Sequence, residues 1–138
     1  MSDLFDRAER GPADFVSARL QPGEHIEEIL PDATGGPSPS FLALIAVILI
    51  LIIPNYSLVM TDRRLLLIGR SKLTGRPTRL ERELQRDKVK VVSYERGNLW
   101  SVLRLADPQQ AELKLNVRRA VRGYADDLVR ALDPTWTF

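Results

Sequence analysis

The chain carries one histidine, His25, and no cysteine. Thiolate nucleophiles, disulfides and cysteine metal sites are excluded, and a histidine-cluster metal site with them. Any acyl-transfer set would have to use His25. That residue stands among Glu24, Glu27 and Glu28, company that fits a surface histidine better than a base aimed at a serine. The carboxylate pairs Glu27/Glu28 and Glu81/Glu83 are adjacent or alternating. On a strand the adjacent pair points to opposite faces and the alternating pair shares an outward face with Arg79, so such spacing describes solvated side chains. Gly35-Gly36 lies in a Pro/Ser-rich stretch with no Lys-Ser/Thr after it, so it is not a phosphate-binding glycine loop. No carboxylate spacing supports a metal site. The expectation is a non-enzymatic protein with no cofactor.

The residues that can do chemistry are cationic. Residues 62–90 hold ten Lys/Arg against four Asp/Glu, net +6, whereas residues 1–32 are net −5 and residues 91–138 net +1. Such a block meets anionic lipid, nucleic acid or only water. Aromatic side chains are missing between residues 57 and 93, which leaves base stacking unsupported and disfavours nucleic acid. What precedes the block favours lipid. Phe41–Ile53, FLALIAVILILII, is apolar throughout and sits in a window from Ala33 to Thr61 without a charge. A basic flank beside an apolar segment is the asymmetry of a cytoplasmic membrane face.

Thirteen helical residues rise about 20 Å against a hydrocarbon core of roughly 30 Å. Pro39 and Pro54 bracket the run, and Pro54 ends or kinks a helix there. The β-branched residues Ile45, Val47, Ile48, Ile50, Ile52 and Ile53 suit a strand equally well. Every face is apolar, so periodicity does not choose between a membrane-inserted segment, a buried core element and a subunit interface. Under the first reading Phe41, Leu42, Leu44, Ile45, Val47, Ile48, Leu49, Ile50, Leu51, Ile52 and Ile53 insert, and Arg63, Arg64, Arg70, Lys72 and Arg76 meet anionic lipid.

Elements must hold these residues. Residues 2–20 read as one or two short helices, with Pro12 opening the second. Residues 25–31 read as a first strand, and Asp32–Ser40 as a Gly/Pro/Ser linker. After Pro54 the pattern turns to β: strands at 56–61 and 64–70 joined by Asp62-Arg63, then 78–84, 89–95, 99–105 and 111–117. In the strand at 78–84 Leu80 and Leu84 share a face. From Val117 to Leu132 apolar residues recur at three- and four-residue steps, an amphipathic helix that Asn116 can cap. The tail 133–138 carries Trp136 and Phe138, able to pack back or to sit at a membrane interface.

Seven strands and a C-terminal helix, with Pro22-Gly23-Glu24 before the first strand and the hairpin YSLVMTDRRLLLIGR at 56–70, resemble the bacterial pleckstrin-homology-like domains, related in fold to GRAM domains. Thr61-Asp62-Arg63-Arg64 is the most recognisable part, and the resemblance covers roughly 21–132. It implies a mainly β fold: a bent, partly open seven-strand barrel capped by the C-terminal helix, with 33–55 as an apolar insertion between the first two strands. It also implies a binding or scaffold role. Eukaryotic members bind phosphoinositides through basic residues in that first loop. Here the loop is apolar, so no such ligand residues carry over. If the first strand pairs with those after residue 56, both flanks of the insertion lie on one side of a membrane. A loop dipping into one leaflet then fits better than a span. The expected protein is peripheral or monotopic on the cytoplasmic face of the cell membrane. Its partners are anionic lipid and a protein partner or further copies of the chain. The alternative is a soluble assembly or scaffold subunit whose apolar segment is buried in the core or between subunits.

Overall fold

The Thr61–Arg64 turn organises the fold through its own side chains. The Thr61 hydroxyl accepts the backbone N–H groups of Arg63 and Arg64, both at 3.1 Å. Asp62 reaches across to accept the His25 N–H at 2.9 Å, while its own N–H donates to the His25 carbonyl at 3.1 Å. The two-residue connection thus closes its hairpin and ties it to the start of the first strand. The computed structural model describes residues 7–35 and 53–138.

The elements are helix α1 (Arg7–Ser17), strands β1 (Ile26–Thr34), β2 (Asn55–Thr61), β3 (Arg64–Arg70), β4 (Pro77–Gln85), β5 (Lys90–Glu95), β6 (Trp100–Ala106) and β7 (Leu113–Arg118), a 3-10 turn (Arg119–Val121) and helix α2 (Arg122–Leu132). The strands form one open antiparallel sheet in the order β4-β3-β2-β1-β7-β6-β5. β1 is central and joins a four-stranded half to a three-stranded half, meeting β7 at Thr34 opposite Asn116. The protein is mainly β, with seven strands and a C-terminal helix.

Two helices cover opposite faces. Ala125, Leu128 and Val129 of α2 join Leu58, Met60, Leu65, Leu67, Leu103 and Leu115 in the main core. On the other face Ala13 and Val16 of α1 pack on Ile29, Val59, Leu66 and Ile68. β2 and β3 are therefore buried on both sides, which is why they read as continuous apolar runs instead of alternating. β6, covered on one side, alternates between buried and half-buried residues along its length.

Four local expectations change. β1 runs on through Asp32–Thr34, which the sequence reads as linker. A register shift between Leu30 and Ala33 absorbs Pro31, a residue that cannot donate to a ladder. Residues 7–17 form one helix through Pro12, held by its apolar face on the sheet. Leu80 does not share the buried face of Leu84. A shift between Leu67 and Ile68 pairs those residues with Arg82 and Leu80 and turns Leu80 outward, 37 % exposed against 2 % for Leu84. Asn116 does not cap α2. It is buried inside β7, opposite Val102 and Thr34, and the chain enters α2 through the 3-10 turn with no side-chain cap. The tail folds back: Trp136 packs against the main core, and the Phe138 ring meets Tyr94 edge-on at 5.7 Å.

Candidate functional site

The apolar segment is rooted at one point of the sheet. Thr34 pairs with Asn55, and the Gly35 N–H donates to the Pro54 carbonyl at 3.1 Å. The chain leaves β1 and re-enters β2 at neighbouring positions. The approach at Gly35 is close: a Cβ there would stand 3.0 Å from the Tyr56 ring and 3.2 Å from Pro54 Cγ, so these side chains would have to give way. Phe41, Leu42, Leu44, Ile45, Val47, Ile48, Leu49, Ile50, Leu51 and Ile52 lie outside the described residues. Ile53 is half-buried beside the root.

The five cationic residues expected to act together fall into two groups. Asn55 pairs with Arg70 and Arg70 with Pro77, so Arg70 and the loop 71–76 stand at the root. Arg63 and Arg64 sit at the opposite end of β3, about 20 Å away at roughly 3.4 Å per residue.

At that far end Arg64 is removed from the exposed set. It is buried, and all three nitrogens of its guanidinium donate. Nε and Nη2 donate to the two Glu24 carboxylate oxygens at 2.9 and 3.0 Å, Nη1 to Glu83 at 3.1 Å, and Nη2 also to the Arg19 carbonyl at 2.8 Å. Glu24 also accepts the Thr61 hydroxyl at 2.6 Å and the Gln21 N–H at 2.8 Å. These donors, Arg64 first, hold its carboxyl down at about 2 against burial, which opposes them. Arg64 fastens β3 to the segment leading out of α1. Arg63 is 44 % exposed and donates to the Pro22 carbonyl at 3.0 Å.

At the root two guanidiniums meet one carboxylate. Arg70 donates through Nε to the Tyr56 carbonyl at 3.2 Å and through Nη2 to Asp32. Asp32 also accepts Arg118 Nε at 2.7 Å. One carboxylate is thus shared by two guanidiniums, leaving an excess of positive charge. A cleft of about 460 Å³ beside them is lined by Asp32, Ser57, Arg70, Thr74, Arg76 and Arg118. A second recess, about 420 Å³, lies between Pro54, Tyr56, Arg70, Lys72, Arg79 and Glu81. Lys72 and Arg76 are exposed. Asp32 and Arg118 escaped the sequence reading: one lies in a stretch read as linker, the other at the seam between strand and helix. Their alternation with the buried Ala33 and Val117 was the signal available.

Several of the remaining titratable residues form surface pairs. His25, with 66 % of its side chain exposed, lies 3.5 Å from Glu27 and 3.7 Å from Asp62. Glu27 pairs with Arg86, and Glu81 with Arg79 at 2.6 Å. Burial, then the carboxylates of Asp127, Glu27 and Glu9, pushes the Glu28 carboxyl up. Among the described residues no group of three or more acidic or histidine side chains is placed to hold a metal ion. No described helix is long and apolar enough to cross a membrane. Comparison with protein-family models, with curated proteins and with solved structures finds no match to the chain.

Proposed function

We propose that the chain is a non-enzymatic pleckstrin-homology-like domain that binds the cytoplasmic face of a membrane. In this reading Phe41–Ile53 inserts into one leaflet, and Arg70, Lys72 and Arg76 meet anionic headgroups beside it. The observation that carries the reading is the shared location of root and charge: Gly35 and Pro54 are hydrogen-bonded to each other, and the strand register puts Arg70 and the Lys72–Arg76 loop next to them. A segment whose two ends meet must return to the side it left, which favours a re-entrant anchor over a span. Each basic residue held near an anionic surface contributes about 1 kcal/mol. The apolar segment contributes more through its eleven Phe, Leu, Ile and Val side chains, roughly 0.3–0.6 kcal/mol each.

The test is detergent-free flotation on neutral and anionic vesicles, with the full chain and with a chain lacking 41–53. The full chain floats, more strongly on anionic vesicles, and the deletion stays at the bottom. A folded full chain that never floats refutes the reading and turns attention to a partner subunit covering Phe41–Ile53.

A further inference from the structure

Leu73 is 97 % exposed, more than any other large apolar side chain among the described residues. It stands at the tip of the β3–β4 loop, and that loop is built to hold it there. The Ser71 hydroxyl accepts the N–H groups of Leu73 and Thr74 at 3.2 and 3.4 Å. The Gly75 N–H donates to the Ser71 carbonyl at 2.8 Å, and the Ser71 N–H to the Arg76 carbonyl at 2.9 Å. Gly75 closes the turn at φ +71°, in the left-handed region that a glycine enters without strain. A leucine presented to water by a closed, hydrogen-bonded loop gains nothing from the fold.

Its neighbours give it a use. Lys72 and Arg76 flank it, and Lys72 shares a recess with Pro54 at the root of the apolar segment. An apolar tip between two cations, set beside an apolar segment, complements the boundary between anionic headgroups and acyl chains. Leu99, 70 % exposed in the β5–β6 turn, also has a cation beside it, Arg119, but its turn contributes no residue to the recess at Pro54. Resting on the membrane reading above, we infer that Leu73 is a second insertion point, which enters the acyl boundary of an anionic leaflet while Lys72 and Arg76 stay at the phosphates. Two insertion points would fix the orientation of the sheet on the surface, which a single point does not.

The chain has no cysteine, so Leu73→Cys and Leu99→Cys each give a unique site for an environment-sensitive fluorophore. On vesicles containing phosphatidylserine the label at 73 shifts to the blue and is quenched by lipid-borne quenchers, and the label at 99 does neither. Leu73→Ser lowers the partition coefficient roughly tenfold, as expected for withdrawing most of a leucine from the acyl boundary, with an unchanged thermal midpoint. If the labelled chain floats while the label at 73 stays in water, or if both labels shift alike, the second insertion point is refuted and the anchor stands. If the chain does not float at all, both fall. A blue shift at 73 without vesicles that grows with protein concentration assigns the leucine to a contact between copies and also overturns the inference.

Discussion

Arg64 and Arg70 occupy the two ends of one strand and the same face of it, yet meet opposite fates. Arg64 faces Glu24 and Glu83 and is buried among their oxygens. Arg70 faces a single carboxylate, Asp32, that it must share with Arg118. Residue type and strand face are equal, so the difference is made by the count of acidic partners that other segments bring. The neutralised end serves the fold. The end left positive stands at the root of the apolar segment.

The comparison breaks most sharply at Arg64. Arg64→Ala strands Glu24 as a buried carboxylate with its strongest partner gone. Removing one member of a buried pair costs about 3–5 kcal/mol, so urea unfolding should show a loss of that order. Arg70→Ala leaves Asp32 with Arg118 and should cost far less. Equal losses at the two positions would dissolve the distinction between the ends.

The second test uses acid. Glu24 titrates at about 2 in the fold against an ordinary value of 4.5. Because the folded value is the lower one, the stabilisation is complete above about pH 4.5 and is lost as pH falls from there through 2. The difference is on the order of 3 kcal/mol. Glu24→Gln should be less stable at neutral pH and should lack this part of the acid dependence. Glu28, pushed up by burial and then by its carboxylate neighbours, acts in the opposite sense: its folded value lies above the unfolded one, so its protonation favours folding and partly masks the acid loss. Glu28→Gln combined with the Glu24 series separates them.

These contrasts also mark what could be read from the residues in order. The hairpin was legible because Thr61-Asp62 carries its own turn chemistry and because doubly covered strands leave unbroken apolar runs, as at Leu65–Ile68. The seven strands and the C-terminal helix followed from turn residues and a change of period. What stayed hidden depends on distant or cumulative geometry. The partner that buries Arg64 lies forty residues earlier. Leu80 turns outward because a register shift in β4 reverses its face relative to Leu84. Asp32 looks like linker until Arg70 and Arg118 converge on it. The basic block was visible as a block, but its division between two ends of the sheet is a property of strand direction.

The smallest effects sharpen the comparison on the root side. Lys72→Ser and Arg76→Ser change exposed loop residues, and surface substitutions of this kind usually alter stability by less than about 0.5 kcal/mol. Each should nonetheless weaken binding to anionic vesicles about fivefold, the equivalent of roughly 1 kcal/mol per basic residue. Neither should change binding to neutral vesicles. The loss should also shrink as salt is raised, because charges exposed at a surface are screened over about 8–10 Å near physiological ionic strength. Arg63→Ser at the far end is the matched control, since Arg63 is also exposed and cationic. If that control weakened binding as much as Arg76→Ser, attraction would depend on net charge alone. A deficit confined to Lys72 and Arg76 would tie it to the end of the sheet from which the apolar segment departs.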